Sequence, residues 1–340
     1  MKKFVTSLCA LAIVFLPGRA GPVFIDAAPQ RKPIIKLASP LPENTIWGAE
    51  LKKIAGEWAK ITGGEIELRV VHGQTDEGKN LALLRQNQIQ ISIFTSIALN
   101  SIAPEIMALS IPMLIHDNNE FDAVLRDVRP TLNSKIEEKG EFVNLVWAKA
   151  GWVRIFSTAP VVYPDDLRKL RVGTNPDEEG ILNAFRAMGF NMVPVGLTAV
   201  TQQLTSRRID AIYQSPTAVA PIKLYKTTKY MNTIRLAPFM GGALMNQQSW
   251  KGIEKYRPQL QELFRKAGTN MENSFLEEEE KAIANMRKDG LIIHDATPAE
   301  EEFWYRDLQR YLPDLVNRNI FNKEMYNRIQ AILENYRGGR

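Results

Sequence analysis

Two arginines in predicted strands are the groups in this sequence best suited to binding a small anion. Arg171 follows Leu170 in a short strand that runs into the turn Gly173–Pro176, and Arg154 lies in an earlier strand. The planar guanidinium matches a carboxylate with two parallel hydrogen bonds, and burial in a cleft strengthens such a pair. The pattern predicts that Arg171 anchors an anionic ligand. For Arg154, an ion pair within the protein is an equal alternative.

Polar and aromatic side chains at the ends of other predicted elements complete the predicted site. Each aromatic residue by itself also fits a packed core, whereas together they indicate a cleft with an apolar lining. The predicted hydrogen-bonding groups are Thr174, Gln214, Ser215 and Ser96, and the predicted walls are Trp47, Phe94 and Tyr213.

Residues that most enzymes need are scarce in this chain. It has three histidines far apart and one cysteine, Cys9, and it lacks the GxSxG, HExxH and glycine-rich phosphate motifs. The run Glu277–Glu280 is compatible with a metal or partner site, but Lys281 and Arg287 favour a solvated helix face with i,i+4 pairs. The sequence therefore predicts a ligand-binding protein without metal or cofactor. An enzyme on the same scaffold is the alternative.

Strands and helices alternate along the chain, which predicts an α/β fold with a mostly parallel sheet. The pattern begins with a strand at Ile34–Ala38 and restarts after Gly151. We therefore predict a two-lobe periplasmic binding protein fold with a central ligand cleft and a hinge. The predicted lobes are residues 33–151 with 239–272, and residues 152–238 with 273–340.

The amino terminus predicts export to the periplasm. Met1–Lys3 is basic, and Phe4–Leu16 is an apolar run that is short for a membrane span. We predict a signal peptide over residues 1–20 with cleavage near Ala20, and an uncleaved anchor is the alternative. The chain has 43 basic and 38 acidic residues, and three of the bases lie in this leader. The mature protein would thus be nearly neutral, so nucleic acid is not an expected partner.

Several short segments, in their order and spacing, resemble the periplasmic solute-binding proteins of TRAP transporters (the DctP-like family). In that family the main ligand arginine is the arginine of a "DLKGLKiRvp" motif and lies on the strand at the end of that motif, and Arg171 is the nearest candidate here. Read without a gap, Gly173 takes that position instead. Arg154 matches a second arginine often found near the site. The matching segments are Pro40–Pro42, Thr62–Glu67, Leu109–Leu114, Pro164–Val172, Met188–Val195 and Ile209–Pro216.

Departures from the family pattern favour an unusual ligand. Tyr213–Pro216 stands where "QENP" is common, and Ala199 stands where the family usually has glutamate. The resemblance implies that the protein captures a carboxylate-bearing small molecule and delivers it to TRAP membrane permease subunits. The departures favour a ligand with an apolar tail. The chain is also similar to a divergent subgroup that works with a tetratricopeptide-repeat lipoprotein. A scaffold for such a partner, with a vestigial cleft, is a further alternative.

Overall fold

A computed structural model describes residues 32–176, 178–196 and 199–339 of the chain. The predicted leader, residues 1–20, lies outside these ranges. The strands of the described residues are β1 (Ile34–Ala38), β2 (Glu67–Val71), β3 (Ile91–Thr95), β4 (Phe142–Ser157), β5 (Arg171–Thr174), β6 (Asn191–Pro194), β7 (Ala211–Gln214), β8 (Tyr230–Asn246) and β9 (Ile292–His294).

Helices cover both faces of the sheet that these strands form. Across the part of the chain that the structure describes, no helix is both long enough and apolar enough to cross a membrane. The helices are α1 (Ile46–Ile61), α2 (Glu77–Arg85), α3 (Ser96–Asn100), α4 (Asn118–Glu137), α5 (Pro164–Arg168), α6 (Glu179–Ala187), α7 (Val200–Thr205), α8 (Pro216–Val219), α9 (Tyr225–Thr228), α10 (Gln247–Gly252), α11 (Arg257–Lys288), α12 (Pro298–Gln309), α13 (Leu312–Asn317) and α14 (Lys323–Gly338).

One mixed sheet joins the described strands in the order β2-β1-β3-β8-β4-β7-β5-β6, with β9 beside β8. Parallel pairs form its two wings, β1 with β2 and β3 on one side and β5 with β6 and β7 on the other. The long strands β4 and β8 run antiparallel between the wings. The sequence indicated a new start of the pattern after Gly151, whereas β4 continues through Gly151 from Phe142 to Ser157. The predicted α/β class is confirmed.

Strand β4 gains a second pairing partner in its second half. Its first half pairs with β8 alone, and its residues Arg154–Ser157 also pair with β7. The register shifts between Lys149 and Trp152, where Gly151 adopts a φ of +97°. The predicted lobe boundaries, after residue 151 and after residue 238, fall at this irregularity, because Trp152 pairs with Pro238. The division into these lobes, and a hinge between them, stay predictions.

The long helix α11 packs closely on β4 and on α1. Its residues Leu260, Phe264 and Ala267 are buried in one core cluster with Trp58 of α1. Gly268 makes the close approach possible, because a Cβ atom there would lie 2.5 Å from Cγ2 of Val146. A larger residue would push the helix off the strand.

The carboxyl-terminal helices α12 and α14 contact residues of both predicted lobes. The indole Nε1 of Trp304 in α12 donates to the carbonyl oxygen of Val162 at 2.7 Å. From α14, Nε of Arg337 donates to Oε1 of the buried Glu120 in α4, also at 2.7 Å. The sequence assigned residues 273–340 to the second lobe, yet α14 packs on a helix of the predicted first lobe.

Candidate functional site

Two cavities lie near the carboxyl ends of strands from both wings of the sheet. The first, named here the apolar cavity, has a volume of about 260 Å³ and lies against α1 and α11. The second, named here the Tyr213 cavity, has a volume of about 370 Å³ and lies against α3 and α6. Phe239 of β8 lines both. Ligands of open α/β sheets bind at the carboxyl ends of strands, so both cavities are candidate sites.

The apolar cavity brings together three of the predicted site residues, Trp47, Phe94 and Ser215. The ring of Trp47 stacks on Phe275, with 4.3 Å between the centroids and 22° between the planes. No charged residue lines this cavity within the described ranges. Other apolar lining residues, from α1 and its preceding loop, β3 and α11, are Leu41, Leu51, Ile93, Phe264 and Met271.

Three hydroxyl groups form a polar edge on the apolar cavity: those of Thr95, Ser215 and Thr217. The Ser215 and Thr217 oxygens lie 3.2 Å apart, and Ser215 follows the carboxyl end of β7. The Thr95 hydroxyl donates to Oε2 of Glu77 at 2.7 Å. The hydroxyls of Ser215 and Thr217 are therefore suited to a ligand head group. Gln214 lines neither cavity, and its side-chain oxygen accepts the N–H of Ser215 at 2.9 Å.

The Tyr213 cavity holds two other predicted residues, Ser96 and Tyr213. The Tyr213 hydroxyl donates to Oε2 of Glu178 at 2.6 Å, and the Thr174 hydroxyl bonds both the tyrosine oxygen and, at 3.2 Å, the same carboxylate oxygen. The Tyr213 ring stacks on Phe185 with 5.5 Å between centroids. Burial, with the charge of Glu178, raises the pKa of Tyr213 well above its usual range. The phenol therefore stays a hydrogen-bond donor.

Arg171 lies away from both cavities. It is the first residue of β5, and its guanidinium makes a two-point contact with Asp210 at 2.7 and 2.8 Å. Hydrogen bonds from Arg171 lower the pKa of Asp210. The cation thus lies at the amino end of the strand, opposite the edge where ligands bind in such sheets. Gly173 supplies no cation either, and a Cβ atom there would lie 2.7 Å from Cδ1 of Ile209.

Arg154 forms an ion pair inside the protein. Its Nη2 donates to Oε1 of Glu279 at 2.9 Å, its Nη1 donates to the carbonyl oxygen of Thr233, and the Trp152 N–H donates to the other glutamate oxygen at 2.9 Å. Burial lowers the pKa of Arg154, and the charge of Glu279 opposes that shift. Glu279 is only 5% exposed, so the prediction of a solvated face over Glu277–Glu280 is wrong at this residue.

Several lining residues were absent from the sequence-based prediction. Phe239 lines both cavities, and Glu178 of the Tyr213 cavity lies four residues after Thr174. The α11 residues that line the apolar cavity follow helical spacing, which marks an apolar helix face. That signal was present in the sequence, but it does not distinguish a core face from a cavity wall. These α11 residues are Phe264, Ala267, Gly268, Met271 and Phe275.

Comparison with known proteins places these features in a family. A family model for bacterial extracellular solute-binding protein, family 7 (DctP), matches residues 37–319. The chain is 25% identical over 237 residues to the 2,3-diketo-L-gulonate-binding periplasmic protein YiaO of Escherichia coli (strain K12). That alignment covers 68% of this chain and 72% of YiaO.

Solved structures of TRAP periplasmic solute-binding proteins share the fold. One from Ralstonia eutropha H16, with bound (S)-2-acetolactate, has a TM-score of 0.78 at 18% identity and covers 89% of this chain and 99% of its own. One from Ochrobactrum anthropi, whose carboxyl terminus occupies its ligand-binding pocket, has a TM-score of 0.79 at 19% identity, with coverage of 91% and 97%. These folds have two lobes, as predicted. The chain belongs to bacterial extracellular solute-binding protein family 7, the DctP family of TRAP periplasmic solute-binding proteins, which bind solutes and do not transform them.

Proposed function

We propose that this protein is the periplasmic receptor of a TRAP-type secondary transporter and captures a monocarboxylate with an apolar tail. The observation that supports this most is the apolar cavity of about 260 Å³. A single water needs only about 10–15 Å³ of such space, so the cavity has room for a molecule of many atoms. Because no charge lines the cavity, it suits an apolar ligand body, whose removal from water is favourable.

The polar edge of the cavity can bind the head group of the ligand. The hydroxyls of Ser215 and Thr217 lie side by side and are suited to donate hydrogen bonds to a carboxylate at the mouth. Related proteins have been solved with bound succinate and with (S)-2-acetolactate. The head group proposed here is the same, but Arg171 and Arg154 are engaged by Asp210 and Glu279. Hydroxyl groups would thus replace the arginine anchor.

The proposal extends to the route and the partners of the ligand. The leader, residues 1–20, would direct export to the periplasm, where the receptor would close on its ligand and deliver it to the TRAP membrane permease. An apolar ligand also fits the resemblance to the subgroup that works with a tetratricopeptide-repeat lipoprotein. We include such a lipoprotein as a proposed partner.

Calorimetry with octanoate and succinate tests the ligand class. We expect octanoate to bind more tightly, because its chain fills the apolar cavity. Ala218→Trp should abolish that binding, since Ala218 is exposed and lines the cavity, so that the larger ring fits without disturbing the core. Arg171→Ala is the matched control and should leave octanoate affinity unchanged.

The opposite pattern would refute the proposal. It would consist of tighter binding of succinate, lost on Arg171→Ala and kept on Ala218→Trp. Native mass spectrometry of protein purified from the periplasm of its own cells gives an independent measurement, because a co-purified mass identifies the ligand directly.

A further inference from the structure

The apolar cavity and the Tyr213 cavity lie next to each other along the same elements. At the junction of β3 and α3, Thr95 lines the apolar cavity and the next residue, Ser96, lines the Tyr213 cavity. At the carboxyl end of β7, Tyr213 lines one cavity and Ser215 lines the other. Because closely spaced residues of two separate elements reach different cavities, the two cavities are successive parts of one cleft.

Strand β8 passes both cavities, and Phe239 lies where they meet. Ala237 lines the Tyr213 cavity, Gly241 lines the apolar cavity, and Phe239 lines both. Alternate residues of a strand share one face, so these three residues lie on the same face of β8. Of the three, only Phe239 has a large side chain. Its ring is therefore the part of this face that separates the two cavities.

A bulge in β4 lies opposite Phe239. Four residues of β4, Lys149–Trp152, span the same length of the sheet as three residues of β8, Pro238–Met240. The two inner residues of β4 therefore oppose Phe239 alone. A β-bulge bends its strand and re-aims side chains beside a binding site. Phe239 is half-buried, whereas the residues on both sides of it in β8 are buried, which fits a ring that faces the open cleft.

The cleft continues as apolar surface on the far side of the Phe239 ring. The Tyr213 cavity, at about 370 Å³, is larger than the apolar cavity, at about 260 Å³. Met107, Phe185 and Leu236 line it with apolar groups. A ligand tail that passed the ring would thus leave water for an apolar surface, which is favourable.

We propose that Phe239 divides one elongated cleft and limits the length of the ligand tail that the receptor accepts. A tail that fits the apolar cavity is buried in full, whereas a longer tail meets the ring and keeps its last carbons in water. This role of Phe239 rests on the proposed function, because it takes the apolar cavity as the ligand site.

Calorimetry with octanoate and dodecanoate, on the wild-type protein and on Phe239→Ala, tests this role. Each additional methylene that is buried strengthens binding about fourfold. Phe239→Ala should therefore raise the ratio of dodecanoate affinity to octanoate affinity at least about tenfold, since burial of two of the four added methylenes already supplies that factor. Phe239→Leu keeps an apolar side chain in the strand and should raise the ratio less. It serves as the second variant if Phe239→Ala fails to fold.

A control variant fills the Tyr213 cavity instead. Ser101 is exposed and lines that cavity but not the apolar cavity, so Ser101→Trp places a large ring there without disturbing the core. In the wild-type background it should leave octanoate affinity unchanged. Combined with Phe239→Ala, it should return the affinity ratio to the wild-type value.

The outcomes separate this role from the proposed function. If octanoate binds and the affinity ratio is the same in the wild type and in the Phe239 variants, the role of Phe239 is overturned while the proposed function stands. A raised ratio that persists after Ser101→Trp would also overturn it, because the longer tail would not then occupy the Tyr213 cavity. Absence of octanoate binding by the wild-type protein would overturn both proposals.

Discussion

Removal of one partner of the buried Arg154–Glu279 pair should strongly destabilise the protein. The two side chains are only 9% and 7% exposed, and their charged atoms are 2.9 Å apart. Arg154→Met leaves an uncompensated carboxylate, and Glu279→Met leaves an uncompensated guanidinium. Breaking a buried pair in this way costs about 3–5 kcal/mol of the free energy of unfolding. Glu279→Met also orphans the N–H of Trp152, which adds about 1–3 kcal/mol.

The double variant distinguishes an internal pair from two independent groups. With both charges gone, no buried ion remains, so the double variant should be more stable than the sum of the single losses predicts. The coupling should be about 1–3 kcal/mol, as for residues in direct contact. Urea unfolding followed by tryptophan fluorescence measures all four proteins. Lys281→Met, on an exposed part of the same helix, is the matched control and should change stability little.

The same variants test the sequence-based alternative that Arg154 anchors the ligand. Because Arg154 lines neither cavity, Arg154→Met should leave octanoate affinity unchanged wherever the variant is folded. Additive single losses would contradict the internal pair. A folded Arg154→Met protein of normal stability that no longer binds ligand would establish the anchoring role instead.

Two further predictions concern stability. Gly151→Ala should lower the Tm, because a φ of +97° strains alanine by about 1–2 kcal/mol and the new Cβ would lie 2.2 Å from Oε2 of Glu279. The control Gly56→Ala adds a Cβ in open space on α1 and should raise the Tm, because alanine favours a helix over glycine. Equal effects of the two substitutions would contradict this explanation. Burial raises the pKa of Glu120, but its hydrogen bonds from Arg337 and the backbone lower it overall, so the ionised carboxylate stabilises the folded protein above pH 4.5 and this contribution is lost as the pH falls further. Glu120→Gln should therefore flatten the acid dependence of stability in urea titrations. An unchanged acid profile would exclude the Glu120–Arg337 pair as the source of that dependence.

The sequence was sufficient for the fold class because its signals are local. Alternating apolar residues, helix caps and glycine or proline turns specify strands and helices over short stretches. The segments from Pro40–Pro42 to Ile209–Pro216 then pointed to the family that the comparisons show. The continuous strand β4 was missed, since Gly151 looks like a break in the sequence and becomes a kink when β8 pairs on both sides of it.

Which residues reach the candidate site depends on where each one lies along its strand. The sequence places Arg171 near the end of a strand, whereas β5 begins at this residue. A strand advances about 3.3 Å per residue, so a shift of three residues moves a side chain by roughly 10 Å, from the binding edge of the sheet to the opposite edge. Arg171 therefore meets Asp210, 39 residues away in the chain.

What the sequence by itself determined was the α/β class, the family likeness and the set of aromatic residues at element ends. The tertiary structure decided which of them share a cavity: Trp47 and Phe94 lie together beside α11, and Tyr213 lies in the other cavity with Glu178. It also decided that Arg154 pairs with Glu279, 125 residues later. Local propensity forms the elements, but charge partners and cavity walls come from different elements, and only packing sets their distances.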